Sequence, residues 1–432
     1  MSIRPINADR IKEDVSGTDS MQSIHVLAKP IGPLCNLNCT YCFYLEKKAL
    51  FAETENYRMS DRVLEAFVRK YICLSGMPEI PFAWQGGEPM LMGLDFFRKA
   101  VRLQNLYGHG KRITNALQTN GTLLTDEWCD FLAKNHFLVG LSLDGPEDIH
   151  NRYRVDGRGR GTFNAVLKGL KLMEKHGVEY NVLACVTRES AHRPLDVYHF
   201  FKEQGVKFIQ FIPIVERMPD DGARARGLTL AEPPVMGAAN PTDVTPWSVE
   251  PESYGDFLIG IFEEWVRTDV GEIFIMNFEW ALLGWMGGEA AVCQFSRQCG
   301  RSVILEHDGG LYACDHFVYP QYLLGNILSS DPLRLVNSPE QIAFGKRKEA
   351  ALPQYCRDCE VLFACRGECT KHRFATTLTN EPGLNYLCAG YKKFFRHINK
   401  YMKAMRQLLE NNLPVSYIMD AVKGPLVIKR RP

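Results

Sequence analysis

Fourteen cysteines in 432 residues, eleven of them gathered into two stretches, constrain this chain more than any other feature. The N-terminal segment MSIRPINADRIKEDVSG is polar and lacks the basic-then-apolar order of a secretory leader, which predicts a cytoplasmic protein. Thiols in that compartment are kept reduced, so a disulfide framework is not expected, and clustered cysteines there usually bind metal. The two groups run from Cys35 to Cys42 and from Cys293 to Cys388. Cys73, Cys129 and Cys185 stand alone in apolar-patterned segments and read as small buried hydrophobes.

Charge narrows the partners. Lys and Arg number 51 against 50 Asp and Glu, so nothing argues for nucleic acid or an anionic membrane as the main partner. No apolar run approaches the roughly 18 residues of a membrane span.

From about residue 24 to 215 short apolar runs alternate with amphipathic stretches. HVLAKPIG (25–32), IPFAWQ (80–85), ITNALQT (113–119), FLVGLSLDG (137–145), YNVLACVT (180–187) and VKFIQFIPI (206–214) read as strands. Helices fall between them, with Ser60 and Thr125 as N-caps. About six βα units predict an α/β fold: a partial (β/α)6 barrel of the TIM type, with its active site on the loops after the strands. Residues 216–251 are rich in Pro, Gly and Asp and read as a connector or lid. The expected organisation is an N-terminal extension (1–21), the barrel (22–251), bridging helices (252–289), a cysteine-rich module (290–391) and a closing amphipathic helix with a basic, solvated tail (392–432).

The segment PLCNLNCTYCFY spaces Cys35, Cys39 and Cys42 as C-x3-C-x2-C, directly after the first strand. Three thiolates on one tight loop hold three irons of a cubane and leave the fourth iron without a protein ligand. An open coordination position is a place for chemistry. A zinc site borrowing a fourth ligand is the alternative. The spacing, with Tyr41 before the last cysteine, resembles the radical S-adenosylmethionine superfamily, as does Gly86-Gly87-Glu88-Pro89 one βα unit later. The resemblance implies that the cofactor chelates the open iron. It also implies that Gly86, Gly87 and Glu88 receive the cofactor amino group, while Ser142 and Arg154 hold its carboxylate. Glycine suits a backbone that must approach a ligand closely. QTNGT (118–122) matches another stretch near the cofactor, though a plain strand-to-turn junction explains it too.

The second group reads Cys293, Cys299, Cys314, then Cys356-x2-Cys359-x5-Cys365-x3-Cys369, then Cys388, enough for two closed four-ligand sites. It resembles the SPASM extension of radical enzymes that modify peptides and proteins. That resemblance implies two auxiliary 4Fe–4S clusters, one on Cys293, Cys299, Cys314 and Cys369, the other on Cys356, Cys359, Cys365 and Cys388. Full ligation suits electron transfer.

GPLCNLNCTYCFYLEK (32–47), WQGGEP (84–89), SLDGPEDIHNRYR (142–154), QFIPIVER (210–217) and YACDHF (312–317) bring the chain nearest to the anaerobic sulfatase-maturating enzymes. These oxidise a Cys or Ser of a sulfatase to Cα-formylglycine. The resemblance implies Asp315 as the general base, Tyr44 and Gln85 on the substrate side, and a sulfatase chain as substrate. It also implies a 5′-deoxyadenosyl radical as the hydrogen abstractor and an electron donor such as flavodoxin or ferredoxin. A maturase that crosslinks a ribosomal peptide is one rival, although few residues precede Cys35 to form a peptide-recognition domain. A non-catalytic zinc-binding scaffold is the other.

Overall fold

A computed structural model describes residues 24–51, 56–235 and 243–422. The expected N-terminal extension (1–21), the basic end of the tail and part of the connector lie outside the described residues.

The first half alternates as expected: β1 (His25–Lys29), α1 (Asp61–Leu74), β2 (Glu79–Trp84), α2 (Leu94–Tyr107), β3 (Arg112–Thr119), α3 (Asp126–Lys134), β4 (Phe137–Ser142), α4 (Glu147–Tyr153), α5 (Phe163–His176), β5 (Tyr180–Val186), α6 (Pro194–Glu203) and β6 (Phe208–Pro213). The six strands pair in sequence order and all in parallel. Both helix caps form: Ser60 Oγ accepts from Val63 N–H and Thr125 Oγ1 from Trp128 N–H. In α1 the buried residues Val63, Leu64, Phe67, Val68, Tyr71 and Ile72 follow helical spacing. They face the sheet, where Phe67 meets the Phe82 ring edge-on at 5.3 Å.

The second half continues with α7 (Asp221–Ala225), α8 (Pro251–Thr268), β7 (Phe274–Ile275), α9 (Met276–Trp285), β8 (Ser302–Glu306), β9 (Gly310–Tyr312) and β10 (Leu323–Asn326). One ten-stranded sheet runs β10-β9-β8-β1-β2-β3-β4-β5-β6-β7. Strand β8, from the cysteine-rich stretch, lies parallel to β1 in five registered pairs, from His25↔Ser302 to Lys29↔Glu306. The sheet therefore crosses from the barrel into the region read as a separate module. Pairing between segments so far apart leaves no local sequence signal.

The chain closes with α10 (Pro332–Val336), α11 (Pro339–Ala350), α12 (Gln354–Arg357), α13 (Leu362–Cys365) and α14 (Cys388–Glu410). Helix α14 begins at its cysteine, before the amphipathic pattern that announces it. It packs along α8, with Phe262 against Tyr401 and Phe394. The two backbones touch at a pair of glycines. A Cβ on Gly255 would meet Gly390 at 2.7 Å, and one on Gly390 would meet the Pro251 carbonyl at 1.9 Å. The described part of the connector is fastened down: Glu46 Oε2 accepts from the Thr229 and Leu230 N–H groups at 2.7 and 2.9 Å. Among the described residues no helix is long and apolar enough to cross a membrane.

Gly390→Ala forces these helices apart. A loss of about 1–3 kcal/mol is expected from overpacking a tight contact. A thermal unfolding midpoint unchanged from the parent would refute the backbone contact.

Candidate active site and its flanking thiolate groups

The loop after β1 carries the first three cysteines. Its far side is pinned by backbone bonds, Asn38 N–H to Val155 O at 2.7 Å and Thr40 N–H to Tyr153 O at 3.0 Å. Its near side is pinned by the Gly-Gly-Glu-Pro turn, with Gly87 N–H donating to Gly32 O at 2.8 Å and Glu88 N–H to Leu34 O at 2.9 Å. A Cβ on Gly87 would stand 1.9 Å from the Leu34 carbonyl. Gly87 is thus required where two protein backbones meet, as well as wherever a ligand approaches. Gly86, at φ +135°, takes a conformation that L side chains rarely adopt.

Glu88 is turned inward. Its carboxylate accepts from Met90 N–H (3.0 Å), Thr119 Oγ1 (2.9 Å) and Asn120 N–H (2.8 Å). Burial raises its pKa to about 7, against the opposing pull of those donors. The Glu88 side chain thus ties the loop after β3 to the turn. The QTNG stretch does more than end a strand: Asn120 Nδ2 reaches Asn36 Oδ1 at 2.9 Å and Cys35 Sγ at 3.7 Å.

The Ser142 end of β4 leads to Asp144, a buried residue that the sequence did not single out. Its Oδ2 accepts from Tyr41 Oη (2.5 Å) and Arg154 Nε (3.0 Å), while Oδ1 accepts from Cys185 N–H (3.0 Å). Arg154 Nη2 also reaches Cys185 Sγ at 3.6 Å. Arg154, expected at the cofactor carboxylate, thus has two of its nitrogens held by protein. Cys185 belongs to this network and is no inert filler, and Cys73 is exposed; of the three lone cysteines only Cys129 is buried as read.

At the opposite edge of the mouth stands Asp315. Its carboxylate pairs at 2.5 Å with the ammonium of Lys29, the buried last residue of β1. Lys29 Nζ also lies 3.3 Å from the centre of the Tyr44 ring. Tyr44 donates to the carboxylate of Glu306, which is wholly buried at the end of β8. Burial and the Glu306 charge hold that phenol well above its ordinary pKa. Tyr44 is thus held between Lys29 and Glu306. Gln85 donates to Gln118 Oε1 at 2.6 Å, and its own Oε1 is buried without a hydrogen-bond partner among the described residues. Lys29 and Glu306 went unnoticed in the sequence, although each is a charge inside an apolar run.

The remaining thiols fall into two groups of four. Cys314 is pushed well above the usual thiol range by burial, then by Cys293, Cys369 and Cys299. Cys365 rises to about 12 through burial, with Cys388 and Cys356 adding, and Cys388 in turn feels Cys359. In the triad Cys39 rises to about 12, chiefly by burial, with Cys42 and Cys35 adding. These are the groupings that the resemblance implies. Buried thiols that repel one another stay protonated until a cation binds, and metal binding displaces those protons.

Two buried cations face the groups of four. Lys348 Nζ donates to the carbonyls of Cys293, Gln294 and Ser296 at 2.5–2.7 Å, and its charge lowers Cys293 and Cys299. Arg373 Nε donates to Gly367 O at 2.8 Å, and its field reaches Cys365 and Cys356 on one side and Cys369 on the other. A tetrahedral zinc, about 2.3 Å from each sulfur, needs its donors close together. Among the described residues no three His, Cys, Asp or Glu side chains converge tightly enough for one metal ion. The cations beside the two sets of four offset the charge of thiolate ligands.

Two family signatures match the chain: the Radical SAM superfamily over residues 30–201 and an iron–sulfur cluster-binding (SPASM) domain over residues 293–360. The serine-type anaerobic sulfatase-maturating enzyme of Bacteroides thetaiotaomicron is 45% identical over 94% of this chain and 97% of the relative. The cysteine-type enzyme of Clostridium perfringens (strain 13 / Type A) is 33% identical over 87% of this chain and 96% of its own. A solved structure of "native anSMEcpe with bound AdoMet and Cp18Cys peptide" superposes with a TM-score of 0.76 at 32% identity, covering 90% of this chain and 99% of that one.

Gly87→Ala should dislodge the Cys35 loop and spare the other two groups. Anaerobically reconstituted protein should then lose about four of roughly twelve irons. Retention of the full complement would show that the Gly87–Leu34 contact does not hold the triad.

Proposed function

The chain belongs to the anaerobic sulfatase-maturating enzymes of the radical SAM superfamily, and from that premise we propose how its own residues oxidise a sulfatase serine to Cα-formylglycine. The family binds S-adenosylmethionine and 4Fe–4S clusters, one at the cofactor and others in the SPASM region. When bound at the open iron, that cofactor supplies a 5′-deoxyadenosyl radical able to remove a hydrogen atom from the target Cβ. Serine is the assigned target because the serine-type relative is 45% identical and the cysteine-type relative 33%.

One observation carries the reading: the Asp315 carboxylate, directly after Cys314, is paired with Lys29, the last residue of β1 and six residues before Cys35. A base is thereby set between the triad loop and the first thiolate group of four. Asp315 accepts the hydroxyl proton of the serine, and Lys29 fixes the direction of that carboxylate. Gln85 Oε1 offers an acceptor to the incoming chain. Asp144 fixes Arg154 and Tyr41 on the cofactor side. Cys35, Cys39 and Cys42 would hold the open cluster, and Cys314, directly before the base, would be a ligand of a second. The setting is cytoplasmic and anaerobic, with all fourteen cysteines free, and a flavodoxin- or ferredoxin-like carrier supplies electrons.

Asp315→Asn keeps the shape and removes the base. Oxidation of a serine-containing sulfatase peptide should fall by about 10²–10⁴-fold, while cleavage of S-adenosylmethionine to 5′-deoxyadenosine continues. Both are read by mass spectrometry under anaerobic conditions. Undiminished loss of two hydrogens from the peptide would remove Asp315 from the mechanism.

A further inference from the structure

The electron balance of this reading asks for an exit. Converting –CH2OH to –CHO removes two protons and two electrons. One proton and one electron go to the cofactor fragment as a hydrogen atom, and the second proton goes to Asp315. One electron is left over, and cleavage of the next S-adenosylmethionine consumes one. A carrier that brings an electron in and takes one out closes the cycle.

One thiol group, Cys356, Cys359, Cys365 and Cys388, lies beside a charged groove. Cys365 is the last residue of α13 and Cys388 the first of α14. The groove runs between these two helices, its charged lining made of Glu360, Arg366, Arg396, Lys403 and Arg406, with Phe363 beside them. Lys392, Arg396, Asn399, Lys403 and Arg406 follow one another at helical spacing and so share a face of α14. That helix carries six Lys and Arg and a single acid, Glu410. Glu360, beside Cys359, and Glu410 each pair with one arginine, at 2.5 Å to Arg396 and 2.7 Å to Arg406. Lys403 has no ion pair among the described residues. Two large side chains, Tyr355 and Phe363, are each 38% exposed at the same end, and the Lys392 ammonium lies 4.7 Å from the Tyr355 ring centre.

A ring of cations around two exposed aromatics, ending on two cluster ligands, is laid out for an acidic protein. Set against Glu360 and Glu410, the four cations Lys392, Arg396, Lys403 and Arg406 leave this face a surplus of two positive charges. We propose that the α13–α14 groove is the docking site of an acidic one-electron carrier protein, which exchanges electrons with the cluster on Cys356, Cys359, Cys365 and Cys388. The proposal rests on the maturation chemistry above. Docking is steered by charge, so it weakens as salt rises.

The test uses reconstituted holoenzyme and an acidic two-iron ferredoxin as probe. Affinity is measured by calorimetry for the parent, for Arg396→Glu with Lys403→Glu, and for a charge-matched control on α5, Lys168→Glu with Lys171→Glu. The groove pair should weaken binding at least about tenfold, with the control pair near the parent. The milder Arg396→Gln with Lys403→Gln should lie between. Dithionite-driven oxidation of a serine peptide, which needs no docking, should be equal in all. No ferredoxin binding by the parent, or equal loss in groove and control pairs, overturns the docking site. So does weakened binding of the sulfatase chain in its place, which would give the groove to the substrate. Failure of the parent with dithionite would instead sink the maturation reading.

Discussion

Bringing eleven thiol groups inside one protein creates a charge problem, because cluster ligands work only as thiolates and burial opposes every thiolate. The fold answers with fixed cations and with pre-aimed donors. Lys348 and Arg373 are both about 1% exposed and stand beside the two groups of four. Arg154 and Lys29 act on Cys42 of the triad, together with the backbone N–H groups of Tyr44 and Leu45. Each cation is itself held by carbonyls or carboxylates, so that none is a lone buried charge. Without iron, burial pushes thiols such as Cys39, Cys314 and Cys365 above their ordinary range. Iron is therefore part of the stability of this region as well as of its chemistry.

The second organising feature is the pairing of β1 with β8. It sets Lys29 and Glu306 side by side at the strand ends, and from there the chain turns through β9 to Cys314 and Asp315. One edge of the sheet thus carries both the triad loop and the base. Tyr44 fills the space between the buried lysine and Glu306. The distance from open cluster to base is set by strand register, among the stiffest relations a protein can build.

Most local structure was legible. Helices with clean apolar stripes and hydroxyl caps, such as α1 and α3, lie within a residue or two of their patterns, and the βα order pointed to a parallel sheet. Cysteine spacing, read with the family resemblance, grouped the thiols. What escaped depends on contacts between distant segments. Lys29 sat unremarked in an apolar strand, and only the fold brings Asp315 and the Tyr44 ring to it. Asp144 was not singled out either, and Cys185 read as a small buried hydrophobe. The bonds that the Glu88 and Tyr44 side chains make to the scaffold around the site leave no trace in their motifs. The Gly87 requirement was seen, although its reason is a neighbouring carbonyl at 1.9 Å from a would-be Cβ. Spacing in sequence reports which groups gather; it is silent on which way each one points.

The placement of β8 has a consequence for how the polypeptide is made. During synthesis β1 emerges first, and its outer edge waits for a partner nearly three hundred residues away. An unpaired strand edge is a template for sticking to other chains. Until β8 emerges, the nascent sheet has an open side next to the triad loop. Iron delivered early would meet a nest lacking its neighbouring wall, whereas iron delivered after β8 docks would find the whole rim assembled. Chaperoning of the nascent chain and timing of metal loading are thus tied to a single late strand.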